Sequence, residues 1–379
     1  MHLNELSILN FKNYRAAEVR FDEKVNCLVG KNGSGKTNLL DAIYYLAFTK
    51  SFFNPSDSQN IFPGEGFFSI QGSFAENGEK DRKVQCSLKK GHKKVLKSNG
   101  KEYQRYADHI GSIPVVMVSP IDILLLIEGS ETRRKWIDGI ISQFDASYLD
   151  HLLNYNKALS QRNSQLKQLK SPGTATYSLL EIWDDQLIHH GKYLFERRTE
   201  VMKDISNLFD EYYRLISQGS ERVNLDYFSH LQQEKDFSEQ LRDSIVKDLR
   251  LQYTSKGIHK DELELMLDKR PMKKFASQGQ QKTALMALRL AQARLITQRK
   301  GRMPLMLLDD IYDKLDSDRM ARFLEVLKSA QFGQLFITDT NLEHMNALLL
   351  GCGMEGRFFT VEHGEVRQTQ EHQELKQLN

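Results

Sequence analysis

The residues best suited to chemistry form one run of eight near the N-terminus. The run matches the pattern G-x-x-x-x-G-K-[ST] and reads Gly30, Lys31, Asn32, Gly33, Ser34, Gly35, Lys36 and Thr37. Glycines let the backbone curl so that successive N–H groups point at phosphate oxygens. In this pattern the lysine reaches the β- and γ-phosphates of a nucleoside triphosphate, and the threonine hydroxyl binds Mg²⁺. We therefore predict that this Walker A loop binds ATP and Mg²⁺, and that Lys36 also acts in catalysis.

A second group of chemical residues stands near the other end of the chain. The apolar run 303–308 ends in two carboxylates, Asp309 and Asp310. This arrangement is the usual partner of a phosphate loop, in which the first carboxylate holds Mg²⁺ through its water shell. The second carboxylate is placed to orient or deprotonate the attacking water. We predict that Asp309 is a metal ligand and that Asp310 is catalytic.

A third candidate lies between these two motifs. Ser277, Gln278, Gly279 and Gln280 precede a segment rich in Ala, Leu, Arg and Gln, Thr283 to Thr297, which predicts a helix. Ser277 is a natural N-cap, and a capped helix is the simpler interpretation. The alternative is that this helix N-terminus binds a phosphate. That phosphate would belong to the ATP of a second subunit, so we expect these four residues to complete its nucleotide site.

The elements around these motifs predict an α/β fold. Val25 to Val29 is a short apolar run typical of a buried parallel strand. The stretch Asn38 to Leu46 has its apolar residues at helical spacing, so the Walker A loop joins a strand to a helix. A further apolar strand is predicted over Gln334 to Thr340, where a polar residue at the strand's end would contact the γ-phosphate or the attacking water.

The middle of the chain has a different pattern. Apolar residues recur at three- and four-residue steps from Leu180 to Ile216, which predicts one long helix. Ile140 to Leu169 also reads as helix, and Ser171 to Gly173 forms a break between the two. We expect an antiparallel hairpin. The predicted domains are 1–120 and 251–379, the two halves of an ATPase head, and 121–250, a helical lobe resembling a short coiled-coil arm.

Composition narrows the class of protein. Of 379 residues, 40% are hydrophobic and 27% charged, which is a globular balance. No apolar run approaches the roughly 20 residues of a membrane helix, and the N-terminus lacks a signal peptide's apolar core, so we expect a cytoplasmic protein. The scattered Cys27, Cys86 and Cys352 argue against disulfides and zinc sites. We interpreted His109, His151 and His189 as surface or packing residues and saw no metal site beyond Mg²⁺.

The net charge of +3 neither favours nor opposes a nucleic-acid partner, so a basic surface that binds one must be local. The most basic run, Leu88 to Lys97, has turns at Gly91 and at Asn99-Gly100 and predicts β-hairpins. It would contact DNA phosphates, although such a run is more often a solvated hairpin tip. The absence of interleaved aromatic residues argues against base reading.

Taken together, the motifs resemble an ABC-type ATPase head of the SMC and Rad50 kind. Walker A, the signature at Ser277 to Gln281, Walker B at Leu305 to Asp310 and a D-loop at Lys314 to Asp316 follow in that order. The phrase Leu9 to Tyr14 is also typical of this group. The gap between the two halves is too short for a long coiled coil, and the chain most resembles the RecF family. Further segments carry that resemblance: Ser119 to Asp122, Gly129, Arg133-Arg134, Gly257 to Asp261 and the Asp-Asp pair of Walker B.

This resemblance implies a function. It implies an ATP-gated homodimer with weak, DNA-dependent ATPase activity, which binds gapped or single-strand/double-strand DNA and helps to load recombinase. It further implies a role in replication, repair and the SOS response, with a RecR-like mediator as partner. The sequence departs from the expected pattern in several places. The D-loop begins with Lys314 where glutamate is commoner, and Ile258 and Lys260 stand where proline and arginine are expected. Thr338 to Thr340 contains no switch histidine, and Ser119 to Asp122 stands where a Q-loop glutamine is expected.

Two alternatives remain open at this point. One is a related ABC-type ATPase of a bacterial defence system, which would be paired with a nuclease. The other is a P-loop kinase of small molecules, which would work as a single chain and would not need Ser277. The long stretch between Walker A and Walker B makes the kinase the weaker alternative.

Overall fold

The computed structural model describes residues 1–75, 81–169, 174–219, 221–310, 317–329 and 332–371. The predicted D-loop at 314–316 and the predicted helix break at 171–173 lie outside these ranges. The chain divides into two compact units. The first comprises Met1–Ile123, Glu211–Ser220 and Ser277–Asn379, and the second comprises Leu124–Asp210 and Glu221–Ala276.

The first unit contains two six-stranded sheets, and strands are numbered here in chain order. The antiparallel sheet has the order β2-β1-β4-β5-β6-β7. Its strands are β1 (His2–Phe11), β2 (Tyr14–Arg20), β4 (Phe67–Ala75), β5 (Arg82–Lys89), β6 (Val95–Ser98) and β7 (Lys101–Glu102). The hairpins predicted around the basic run are present, since β5 pairs with β6 and β6 with β7.

The other sheet of this unit is mostly parallel, with the order β15-β14-β3-β13-β12-β8. Its strands are β3 (Val25–Val29), β8 (Val115–Val118), β12 (Leu305–Leu308), β13 (Leu335–Asp339), β14 (Arg357–Glu362) and β15 (Glu365–Glu371). All but β15 run parallel. The carboxyl ends of parallel strands meet at one edge, which is where open α/β sheets bind ligands. Walker A, which follows β3, and Walker B, which follows β12, therefore emerge at the same edge of the sheet, with β13 between their two strands.

Among the described residues, four α-helices belong wholly to the first unit: α1 (Lys36–Phe48), α8 (Gln278–Lys300), α9 (Ser317–Ser329) and α10 (Leu342–Gly351). Helix α1 is mostly apolar and shares one core with both sheets. Within this core Phe11 meets Tyr45 and Phe68 edge to face, at ring centroid distances of 5.8 and 5.3 Å. The predicted α/β class is confirmed, and the helix after Walker A is anchored by burial on several sides.

The second unit holds the remaining helices and a three-stranded sheet of order β11-β10-β9. Its strands are β9 (Val223–Phe228), β10 (Glu262–Leu267) and β11 (Arg270–Pro271). The helices are α2 (Leu124–Ile127), α3 (Ser130–Ile141), α4 (Ala146–Gln168), α5 (Thr174–Ser217), α6 (Phe237–Leu251) and α7 (Met272–Phe275), with the end of α5 counted in the first unit. Residues 251–276, which we had placed with the head, lie in this unit because β10 pairs with β9.

Most of the helical run predicted from Ile140 to Leu169 is the single helix α4, which begins later than predicted. Helix α3 ends at Ile141, and α4 begins at Ala146 after Asp145, whose carboxylate accepts a hydrogen bond from the Tyr148 N–H at 2.8 Å. An aspartate N-cap of this kind marks the start of a new helix, so α4 is separate from α3. Helices α4 and α5 run antiparallel. Tyr148 contacts Arg198 near the start of α4, whereas Arg162 contacts Asp184 near its end.

None of the helices in the described parts of the chain combines the length and the apolarity that crossing a bilayer requires.

Acid should destabilise the first unit through His109. This side chain is 0% exposed, and its Nε2 lies 2.7 Å from the Leu46 carbonyl oxygen while its Nδ1 lies 3.1 Å from Ser112 Oγ. Burial lowers the pKa of His109 from 6.5 to about 4. Because the unfolded chain binds the proton more readily, stability is full above pH 6.5 and falls as the pH drops towards 4. One pKa unit corresponds to about 1.4 kcal/mol, so the full loss is about 3 kcal/mol.

The measurement is urea unfolding followed by circular dichroism between pH 7 and pH 4. We expect His109→Gln to have a shallower pH dependence than the native chain. His259 in the second unit, whose pKa is also lowered to about 4, contributes part of the slope that remains. The exposed His92→Gln serves as the control and should keep the native slope. Equal slopes for His109→Gln and the native chain would contradict the assignment.

Candidate nucleotide site

The Walker A loop runs between β3 and α1 in the conformation that its glycines permit. Gly33 and Gly35 have φ angles of 79° and 120°, a region that favours glycine. A Cβ on Gly35 would lie 2.5 Å from Asn13 Nδ2 and 3.0 Å from the Tyr14 hydroxyl. Gly35 is therefore required both by its backbone angle and by the close approach of the β1–β2 turn.

That turn holds the loop from outside. Asn13 Nδ2 donates to the Ser34 carbonyl at 3.1 Å, and the Tyr14 hydroxyl donates to the Gly35 carbonyl at 3.0 Å. The Gly364 N–H also donates to the Ser34 carbonyl, at 3.1 Å. With two carbonyls tied outward, the loop's shape is set before a ligand arrives. We did not assign Asn13 and Tyr14 to the site from sequence, although the phrase Leu9 to Tyr14 was a signal for them.

The predicted metal ligands lie together. Thr37 Oγ1 donates to Asp309, with distances of 2.9 and 3.1 Å to its two carboxylate oxygens. Thr338 Oγ1 donates to the same carboxylate at 3.1 Å. A hydroxyl and a carboxylate in contact are the oxygen donors that Mg²⁺ prefers, so the residues fit this ion. Burial raises the pKa of Asp309, and the two hydroxyls oppose that shift by stabilising the anion.

Lys36 lies against its own loop. Its Nζ donates to the carbonyls of Gly30 and Lys31 at 2.6 and 3.1 Å. Burial lowers the pKa of Lys36, while the carboxylates of Asp310, Asp309 and Asp339 act in the opposite direction, in that order of size. The ammonium therefore lies within the field of the Walker B acids, where a triphosphate would meet it.

Asp310 has a left-handed backbone, with φ of 48°. Aspartate and asparagine tolerate this region better than most residues. Its N–H donates to Thr338 Oγ1 at 2.8 Å, so one threonine hydroxyl contacts the Asp309 carboxylate and the Asp310 backbone. Thr338 stands at the end of β13, where sequence predicted a polar contact. The structure places it against the two acids.

Asp339 is the next residue of this edge and is nearly buried. Its carboxylate accepts from the N–H of Asn341 at 2.9 Å, and its other oxygen lies 3.4 Å from His344 Nδ1. Residues 338–340 contain no switch histidine. His344, in the first turn of α10, lies five residues after Asp339, and no motif in the sequence had drawn attention to it.

The segment Ser119 to Asp122, which stands in the place of the Q-loop, is tied to the signature helix. Asp122 lies in the short 3-10 helix Pro120–Ile123 that follows β8 and is buried, and Arg289 of α8 donates to both of its carboxylate oxygens. The N–H of Ser119 donates to the same carboxylate at 3.1 Å. A buried, bidentate arginine–carboxylate pair has a fixed geometry. The Arg289–Asp122 pair therefore holds the segment after β8 rigidly against helix α8.

The predicted signature residues stand at the N-terminus of α8. Ser277 caps the helix, since its Oγ accepts from the Gln280 N–H at 3.3 Å and its own N–H donates to Gln280 Oε1 at 2.7 Å. Ser277 and Gln278 are solvent-exposed. A Cβ on Gly279 would lie 2.7 Å from Nη1 of Arg319, at the flexible end of that side chain. The simple capped helix is present, and its exposed N-terminus leaves the phosphate role open to test.

The parallel sheet, the Walker A loop and the paired acids define a P-loop ATPase head of the ABC type. The family model for the RecF/RecN/SMC N-terminal domain matches residues 2–354. An Smc head domain from Pyrococcus furiosus, 18% identical, shares the fold with a TM-score of 0.58 and covers 100% of this chain and 98% of its own.

Within this class the chain belongs to the RecF family. It is 49% identical to the DNA replication and repair protein RecF of Flavobacterium johnsoniae, over 95% of this chain and all of the relative. The Bacteroides fragilis RecF is 44% identical over 98% and 99% of the two chains. A solved structure of the recombination mediator protein RecF with ATP superimposes with a TM-score of 0.88, at 29% identity over 97% and 98%. The predicted resemblance is confirmed.

Proposed function

We propose that the chain is an ATP-gated, homodimeric DNA-binding ATPase of replication and recombinational repair. The observation that carries this proposal is the contact of Thr37 with Asp309 in a head of the RecF family. Matched relatives are named DNA replication and repair proteins, and a structural relative is described with ATP in the RecFOR pathway. By that relationship the partners are gapped or single-strand/double-strand DNA, a RecR-like mediator and recombinase, and the pathway supports SOS induction.

The chemistry is hydrolysis of ATP. The loop N–H groups and Lys36 bind the β- and γ-phosphates, and Thr37 and Asp309 would hold Mg²⁺, which spreads the charge of the phosphates when bound. Asp310 orients a water and takes its proton as the water oxygen bonds to the γ-phosphorus. The bond between that phosphorus and the β–γ bridging oxygen breaks, which releases ADP and phosphate. Thr338 positions both acids through its hydroxyl.

Dimerisation supplies the remaining phosphate contacts. In the proposal, the turn Ser277 to Gln280 of one copy meets the γ-phosphate of the other, since an exposed helix N-terminus carries partial positive charge. ATP then stabilises only the closed dimer, so binding closes it and hydrolysis opens it. Turnover is slow because each site is incomplete until two chains meet. DNA binds the closed dimer and speeds hydrolysis by favouring closure.

The test is sedimentation with and without ATP–Mg²⁺, for the native chain and for Ser277→Arg. We expect ATP to convert the native chain to a dimer, whereas Ser277→Arg stays monomeric and binds ATP with native affinity. The arginine fills the signature turn without touching Walker A. Ser160→Arg, at an exposed position of α4, adds the same charge elsewhere and should dimerise normally.

A native chain that binds ATP and remains monomeric would overturn the shared site. If Ser277→Arg dimerises like the native chain, the signature role is wrong even though the dimer stands. The DNA step is then measured by fluorescence anisotropy of a labelled gapped duplex. Binding should require ATP and should fail for Ser277→Arg.

A further inference from the structure

Three histidines of the second unit lie together on the antiparallel helices α4 and α5. His151 comes from α4, and His189 and His190 come from α5. One ligand nitrogen of each histidine lies within 4.8 Å of the others, and the Nδ1 atoms of His151 and His190 are 3.0 Å apart. From the sequence we predict surface or packing roles for His151 and His189 and no metal cluster. The structure shows that these two residues, 38 positions apart, converge.

The spacing suits a transition-metal ion. A Zn–N bond is about 2.0–2.1 Å, so two nitrogens on a tetrahedral ion lie about 3.3 Å apart. The Nδ1 atoms of His151 and His190 already have nearly this separation. A side-chain rotation of His189 would bring its ring nitrogen to a similar distance. His151 and His190 are half-buried and His189 is exposed, so an ion reaches the cluster from solvent without unfolding the unit.

The surroundings favour the ligand form of these side chains. Burial, and then the neighbouring imidazoles, lower the pKa of His151 and of His190, which is the direction that favours the neutral form that binds metals. Tyr193, one turn beyond His190, stacks on the His151 ring at 4.1 Å with an interplanar angle of 14°. This stacking restricts rotation of the His151 ring. The outer partners of metal-bound histidines fix ring orientation in a comparable way.

We propose that His151, His189 and His190 form a binding site for an imidazole-preferring divalent metal ion, Zn²⁺ first, that cross-links α4 and α5. Imidazole suits Zn²⁺, Co²⁺, Ni²⁺ and Cu²⁺, whereas Mg²⁺ prefers oxygen, so this site does not compete with the nucleotide site for its ion. Three protein ligands leave one position for water or an exogenous ligand. The competing explanation is a hydrogen bond between two neutral imidazoles, one donating and one accepting.

The experiment titrates the untagged full-length chain, stripped with chelator, with Co²⁺ and follows the visible absorption of the ion. We expect one Co²⁺ per chain in a tetrahedral environment, displaced stoichiometrically by Zn²⁺. Cys27, Cys86 and Cys352 are buried, so no thiolate charge-transfer band should accompany it. Zn²⁺ should also raise the thermal midpoint of the native chain.

His151→Gln and His190→Gln should abolish binding, and His189→Gln should weaken it at least tenfold. Because His189 is exposed, its replacement leaves the packing intact and decides the question if the other two variants fold poorly. His92→Gln removes an exposed histidine of the first unit and should bind Co²⁺ like the native chain. Absence of saturable binding, or unchanged binding by His189→Gln, would overturn the site and leave only the hydrogen bond.

Discussion

Asp310→Asn should stop ATP turnover while ATP binding and ATP-driven dimerisation persist. Loss of a general base lowers the rate by about 10²–10⁴-fold. Asparagine keeps the size of the side chain and tolerates the left-handed backbone at 310, where φ is 48°. The N–H of residue 310 still donates to Thr338, so the neighbouring Asp309 stays in place.

The measurement is steady-state phosphate release with and without DNA, beside sedimentation in ATP–Mg²⁺. We expect the variant to accumulate as a long-lived dimer, because closure is intact and opening requires hydrolysis. Glu325→Gln removes an exposed carboxylate of α9 and should turn over like the native chain. If Asp310→Asn hydrolyses ATP at the native rate, the base is another group, and the nearly buried Asp339 would be tested next.

Lys36→Ala should remove ATP binding itself. The ammonium contributes charge-assisted hydrogen bonds to the phosphates, each worth about 1.5–3 kcal/mol. A loss of about 3 kcal/mol corresponds to an affinity roughly a hundredfold weaker. The variant also loses the two bonds from Nζ to the carbonyls of Gly30 and Lys31, so the loop is less ordered. Neither dimerisation nor hydrolysis should follow at ATP concentrations that saturate the native chain.

Isothermal titration with ATP–Mg²⁺ gives the affinity directly. Lys24 is an exposed lysine just before β3, at the end of that strand opposite to Walker A. Lys24→Ala removes the same charge there and should bind ATP with native affinity. The Lys36 and Asp310 variants together separate binding from chemistry. Native affinity in Lys36→Ala would show that the backbone N–H groups hold the phosphates without the lysine.

The nucleotide site shows which parts of a site can be predicted from a sequence. The strand before Walker A and the helix after it were predicted at Val25–Val29 and within Lys36–Phe48, where the structure has them. This succeeded because a phosphate loop is a contiguous device: its glycines, lysine and threonine act from adjacent positions. The acidic end of β12 was predicted for the same reason.

The middle of the chain was harder. The helix predicted from Ile140 begins at Ala146, because Asp145 caps α4 there although the apolar pattern extends further back. Residues 251–276 joined the second unit through pairing of β10 with β9, and strand pairing between distant segments leaves no periodic trace in either segment. The boundary could not be placed from composition.

By itself the sequence determined the fold class, the phosphate loop, the acidic pair and the capped helix at Ser277, since each depends on local spacing. Only the tertiary structure decided which distant residues meet. It brought Thr37 to Asp309 across 272 positions, and His151 to His190 across 39. The physical reason is that a contact between separated segments depends on how whole strands and helices pack. That packing is set by the summed burial of many side chains, none of which marks the partner on its own.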